Sequence, residues 1–151
     1  MATATATITI DAYPGGIDQS QRVMYVLGTI AISASPNTYA TNGIPLLFEN
    51  AVDPAGAKVL LPVAPTGAAG LGYVVPAMLW LASAATTGTT VGGYGYTWNK
   101  ANNSVQILAS SGTQTAGTGT VSQEMTNGTA IPAAVSGDTI RFEAVFIRSW
   151  N

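Results

Sequence analysis

Thr139–Arg148 reads TIRFEAVFIR and Arg22–Ser33 reads RVMYVLGTIAIS, and the alternation in these two stretches decides the fold class. In the first, Ile140, Phe142, Ala144 and Phe146 fall on one side of an extended chain, with Arg141 and Glu143 on the other. That is the pattern of a strand with one wet face. In the second, Val23, Tyr25, Leu27 and Thr29 oppose Met24, Val26, Ile30 and Ile32, so both faces are apolar and the strand is expected to sit centrally in its sheet. No window of a dozen residues repeats apolar positions at the i, i+3, i+4, i+7 spacing of a helix.

Between these two lie further runs of strand character: Ile44–Glu49, Lys58–Val63, Gly72–Ser83, Val91–Asn99, Ser104–Ala109 and Thr115–Val121. The separators carry turn chemistry, namely Ser35-Pro36-Asn37, Thr41-Asn42-Gly43, Asp53-Pro54-Ala55-Gly56, Pro65-Thr66-Gly67, Asn102-Asn103 and Ser136-Gly137-Asp138. About eight short strands at this spacing predict an all-β antiparallel sandwich or barrel. Pro76 lacks a ladder donor, which predicts an edge position or a bulge. The clearest hairpin is Gly93–Ala109, with Tyr94, Tyr96 and Trp98 on one face of its first arm and Lys100–Asn103 as its loop. The opening ATATATITI alternates Ala with Thr, is β-prone but has little to bury, and predicts an extended arm over residues 1–12 that waits for another surface. Residues 13–151 then form a single sandwich domain.

The chain has 151 residues, no His and no Cys, and only 5 basic and 7 acidic residues. General bases, nucleophiles and transition-metal ligands come mostly from His, Cys and clustered carboxylates, so no enzyme activity, cofactor or metal is expected. Charged residues make up 8% of the chain, far below the roughly 25% usual in soluble domains, so the surface has little long-range repulsion and suits lateral assembly. A net charge of −2 without a Lys/Arg stripe argues against nucleic acid. The longest apolar stretch, Leu71–Ala85, is broken by Gly72 and Pro76 and reads as a buried strand rather than a membrane span. MATATATITI has no basic or leucine-rich region of a secretory signal, so the chain is expected to be mature as written.

Among candidate sites, Gly92, Gly93 and Gly95 lack the strand-turn-helix setting of a nucleotide loop. Asp11 and Asp18 flank a turn but fall short of the six to eight oxygens that calcium takes. The stripe Tyr94, Tyr96 and Trp98 is either the inward face of a sandwich or a platform for sugar rings, and Trp80 and Trp150 carry the same ambiguity.

Tyr13-Pro14-Gly15-Gly16-Ile17-Asp18, Arg22–Leu46, Tyr94–Leu108 and Ala130–Phe146 resemble small tailed-bacteriophage head decoration, or cement, proteins. The resemblance implies a jelly-roll sandwich that clips onto the outside of an assembled capsid, often as a homotrimer, and ties major capsid protein subunits together. It places the protein on the virion exterior, and in the host cytoplasm during assembly. The N-terminal arm, through Thr3, Thr5, Thr7, Ile8 and Ile10, is then the expected contact with the capsid or a neighbouring subunit. The alternative is a carbohydrate-binding or host-attachment module that uses Tyr94, Tyr96 and Trp98.

Overall fold

The computed structural model describes residues 2–11, 17–19, 23–59, 61, 76–84, 94–110 and 122–147. Its strands are β1 (Ala6–Ile10), β2 (Ile17–Gln19), β3 (Val23–Ile32), β4 (Ile44–Pro45), β5 (Met78–Ser83), β6 (Tyr94–Asn99), β7 (Ser104–Ser110), β8 (Ser122–Glu124) and β9 (Thr139–Ile147). Among the described residues, helix is confined to a 3-10 turn at Phe48–Asn50 and the single turn α1 (Ala133–Ser136). One sheet runs β1-β3-β9-β5, with β2 also on β3; the other runs β4-β7-β6, with β8 also on β7. Every pairing between these strands is antiparallel. β9 lies between β3 and β5, in the middle of the first sheet. The architecture is an all-β antiparallel sandwich, as the alternation predicts.

The two deciding stretches pair with each other in the register Met24↔Phe146, Val26↔Ala144, Gly28↔Phe142 and Ile30↔Ile140. All of these side chains face inward and are buried, together with Ile8, Ile10 and Ile32 from the same sheet and Ile44, Val105 and Ile107 from the other. β3 is interior to its sheet, between β1 and β9, but of its two apolar faces only that of Met24, Val26, Ile30 and Ile32 is buried. Phe48 enters this core edge-on to Phe142 and Phe146, with ring centroids 5.7 and 5.1 Å away. The run Ile44–Glu49 therefore has its inward face as expected, but its ladder stops at Pro45. The chain turns there, and the 3-10 geometry aims Phe48 between the two strand phenylalanines.

Gly28 marks the tightest point of this packing. A Cβ there would collide with the Thr9 carbonyl oxygen and lie 2.9 Å from the Phe142 ring. Gly28→Ala is expected to destabilise the fold by about 1–3 kcal/mol through overpacking, read as a lower denaturant midpoint at unchanged slope.

The turns are where the sequence puts them. Asp53 Oδ1 accepts the amides of Ala55 and Ala57 at 2.9 and 2.8 Å, and Gly56 supplies a φ of 84°. Asn42 and Gly43 adopt φ of 71° and 96° at the turn before β4. Pro76 lies two residues before β5, the last strand on its sheet's path. Lys58 contributes a bridge to Val52, while half of the run Lys58–Val63, the stretch Thr115–Val121 and the turn Pro65-Thr66-Gly67 lie outside the described residues.

The N-terminal segment is extended, but from Ala6 it is docked on its own chain, in the register Ala6↔Ile32 to Ile10↔Gly28. Ile8 and Ile10 are 3% and 2% exposed. This corrects the expectation that they reach a capsid or a neighbouring subunit. The small Ala and Thr side chains leave two isoleucines as anchors, and those two suffice because β3 supplies a complete backbone ladder.

Candidate functional site

Hydrogen bonding to β3 uses the odd positions of the N-terminal segment: Ser33 N–H donates to Thr5 O at 3.0 Å and Asp11 N–H to Leu27 O at 3.1 Å. The even positions face the other way. Ala4 N–H donates to Thr38 O at 2.9 Å, Ile10 N–H to Val52 O at 2.8 Å, and Ile8 O accepts Val52 N–H at 2.9 Å. Between these bridges Ala6 presents its N–H and C=O outward, with no partner among the described residues. Beside it lies a groove of about 220 Å³ lined by Thr3, Ala4, Thr5, Ala6, Pro45 and Leu47, with Leu47 37% exposed. Thr3 and Thr5 thus line one open edge, and Thr7 is exposed.

The stripe Tyr94, Tyr96 and Trp98 is partly buried and packs against the core. Its polar atoms are also committed within the chain. Tyr96 OH donates to Asp138 Oδ2 at 3.0 Å, the same oxygen that accepts Ser83 Oγ at 2.5 Å, so a buried carboxylate between β5 and β9 is tied to β6 of the opposite sheet. Trp98 Nε1 donates to Asn103 Oδ1 at 3.3 Å, and Lys100 Nζ stands 5.9 Å from the Trp98 ring while donating to Ala77 O. A matching joint forms where Tyr39 OH donates to Glu124 Oε1 at 2.7 Å and Gln106 Nε2 to Glu124 Oε2 at 2.8 Å. Burial, reinforced by the carboxylate that each hydroxyl bonds, holds Tyr39 and Tyr96 well above the usual tyrosine range. These are structural fastenings, the first between the two sheets and the second between β8 and the segment joining β3 to β4, and the stripe has the inward geometry of a core face.

The outward face of the first sheet is different. Its register sets Leu27 and Trp80 on either side of Glu143, Thr29 and Ala82 on either side of Arg141, and Tyr25 and Met78 on either side of Val145. Tyr25, Leu27, Met78, Trp80 and Ile147 are 38 to 56% exposed. A depression of about 310 Å³ opens here, bounded by Asp11, Leu27, Trp80, Ala82, Arg141 and Glu143. The alternation of TIRFEAVFIR foretells that Arg141 and Glu143 point away from the core. That β5 would lie beside β9 and bring Trp80 next to them is long-range topology with no local signal.

Among the described residues, no group of three or more His, Cys, Asp or Glu is placed to hold a metal ion, and no helix is long and apolar enough to cross a membrane. Compared with known protein families, curated proteins and solved structures, the chain matches none.

Proposed function

We propose that the protein is a structural virion component that attaches to the outside of a phage capsid as a homotrimer, bridges major capsid protein subunits, and has no catalytic step of its own. The likeness of four stretches to head decoration proteins supports this reading, as does the all-β sandwich. The observation that carries it is the open edge of the N-terminal strand. Ala6 offers a donor and an acceptor beside an apolar groove, the geometry in which an extended partner segment adds as a further strand and seats a side chain. Several such contacts made at once on one shell multiply through effective concentration, so each can be small. Assembly in the host cytoplasm followed by residence on the virion exterior goes with this role.

The test is electron microscopy and quantitative binding on purified shells with wild-type, Ala6→Pro and Leu47→Asp proteins. Because the Ala6 N–H faces away from β3, proline there removes the outward donor while leaving the β1–β3 ladder its bonds. Leu47→Asp charges the groove. Both variants are expected to melt close to wild type and to bind shells about tenfold more weakly. Wild-type affinity in both would remove the edge from the reading, and failure of the wild-type protein to bind any shell would remove the reading itself.

A further inference from the structure

The chain has few charges, and most of those described are already engaged. Of the 7 acidic residues, Asp53 holds its own turn, Glu124 and Asp138 fasten the sandwich, and Glu49 is engaged as well. The side chains of Asp11 and Glu143 make no hydrogen bond or ion pair with the described residues, and neither does the guanidinium of Arg141. All three border the same depression, and Trp80, with 48% of its surface exposed, forms its wall. A protein that satisfies every buried polar side-chain atom among its described residues, yet gathers charges of both signs with no described side-chain partner around a half-exposed indole, has recognition capacity in one place.

From this we infer that the outward face of the first sheet carries a binding site for a neutral saccharide, centred on Trp80 with Asp11, Arg141 and Glu143 as its hydrogen-bonding rim. The chemistry selects the ligand class. An anion would meet Asp11 and Glu143, and a cation would meet Arg141, so a ligand of either sign faces a like charge. A sugar ring meets neither difficulty. Its C–H face stacks on the indole, its hydroxyl protons are donated to the carboxylates of Asp11 and Glu143, and its hydroxyl oxygens accept from the Arg141 guanidinium. Leu27, next to Glu143 on β3, completes the apolar floor. At about 310 Å³ the depression is at the small end of ligand pockets, which fits one ring held on the sheet with its neighbours in solvent. The site is on a different surface from the Ala6 edge, shares none of its lining residues, and stands whether or not the protein attaches to a capsid. It also differs from the Tyr94, Tyr96 and Trp98 platform, whose rings pack on the core.

The experiment is titration of the full-length protein, followed by nuclear magnetic resonance and calorimetry. The probes are glucose, galactose, mannose, N-acetylglucosamine and their short oligomers, alongside sialic acid and a lysine-containing tripeptide. At least one neutral sugar is expected to bind and to shift the resonances of Trp80, Arg141 and Glu143. Trp80→Ala is expected to weaken that binding about tenfold or more, and Glu143→Gln and Arg141→Gln to weaken it severalfold, all with unchanged melting curves. Trp80→Phe, which keeps a ring, should restore part of the affinity; Tyr94→Phe should change nothing. The inference is overturned if no neutral sugar binds, if only sialic acid or the tripeptide binds, or if a sugar binds with equal strength to folded Trp80→Ala protein. Should Trp80→Ala fail to fold, the resonance shifts and the two glutamine variants decide the matter by the same criteria.

Discussion

Deleting residues 2–10 is expected to unfold the protein rather than merely free it from a partner. Ala4, Ile8 and Ile10 are 2 to 3% exposed and belong to the central core. Burial of a full isoleucine side chain contributes about 1.5–3 kcal/mol, so the two isoleucines together account for roughly 3–6 kcal/mol. A domain of this size has a net stability of only about 5–15 kcal/mol. The deletion would also open the outer edge of β3 and remove the bridges to Thr38 and Val52, which anchor the loops leading to β4 and beyond it. Loss of the cooperative thermal transition, together with the β-type circular dichroism signal, is the expected result. A truncated protein that melts at the wild-type temperature would show that the segment is dispensable to the sandwich. Ala6→Pro separates folding from attachment at the same edge, because it alters only the outward side of the strand.

The docking of Ile8 and Ile10 in the chain's own core shows what is legible in the sequence and what is not. Alternation in ATATATITI identified an extended segment, and the segment is extended. Its partner was not written there, because two isoleucines among small residues bind whichever ladder is nearest, and Ile8 meets Ile30 only through the antiparallel register with β3. The same limit governs the candidate sites. Inward and outward faces of β3 and β9 follow from period two, down to Arg141 and Glu143 pointing outward. Alternation puts Tyr94, Tyr96 and Trp98 on one face but leaves open whether that face is inward; their packing on the core and the hydrogen bonds of Tyr96 to Asp138 and Trp98 to Asn103 require the two sheets and the hairpin loop to be closed. Trp80 lies in an apolar run that reads as a buried strand, yet only one face of β5, through Leu79 and Leu81, packs on the core, while Met78, Trp80 and Ala82 stand on the open face. The strand Ile17–Gln19 has no signal of its own in the sequence, because three residues carry too little periodicity.

In alkali the sandwich is expected to come apart at its two tyrosine fastenings. Tyr39 and Tyr96 act as donors to Glu124 and Asp138, so each hydroxyl must keep its proton to bond, and ionisation would set a phenolate against a carboxylate. Burial is the larger cause and the carboxylate the second, and both hold the native hydroxyls protonated to higher pH than in the unfolded chain. The sign follows from linkage. Unfolded tyrosine releases its proton near about pH 10, so above that pH the unfolded state binds fewer protons than the native one, and stability falls as pH rises. Below about pH 10 both states are protonated, and these two groups contribute no slope. Denaturant titrations should therefore show stability level between about pH 7 and pH 9 as far as the tyrosines are concerned, then a decline through about pH 11. Tyr39→Phe and Tyr96→Phe test the assignment. Each removes a donor from a carboxylate and is expected to cost about 1–3 kcal/mol at neutral pH, and the double variant should show a shallower alkaline decline than wild type. Asp138 makes Tyr96→Phe the harsher of the two, since that carboxylate is 7% exposed and retains Ser83 as its side-chain donor, whereas Glu124 keeps Gln106 in an exposed bond. An alkaline decline of the same steepness in wild type and double variant would assign the transition to other groups and leave the tyrosines as packing alone.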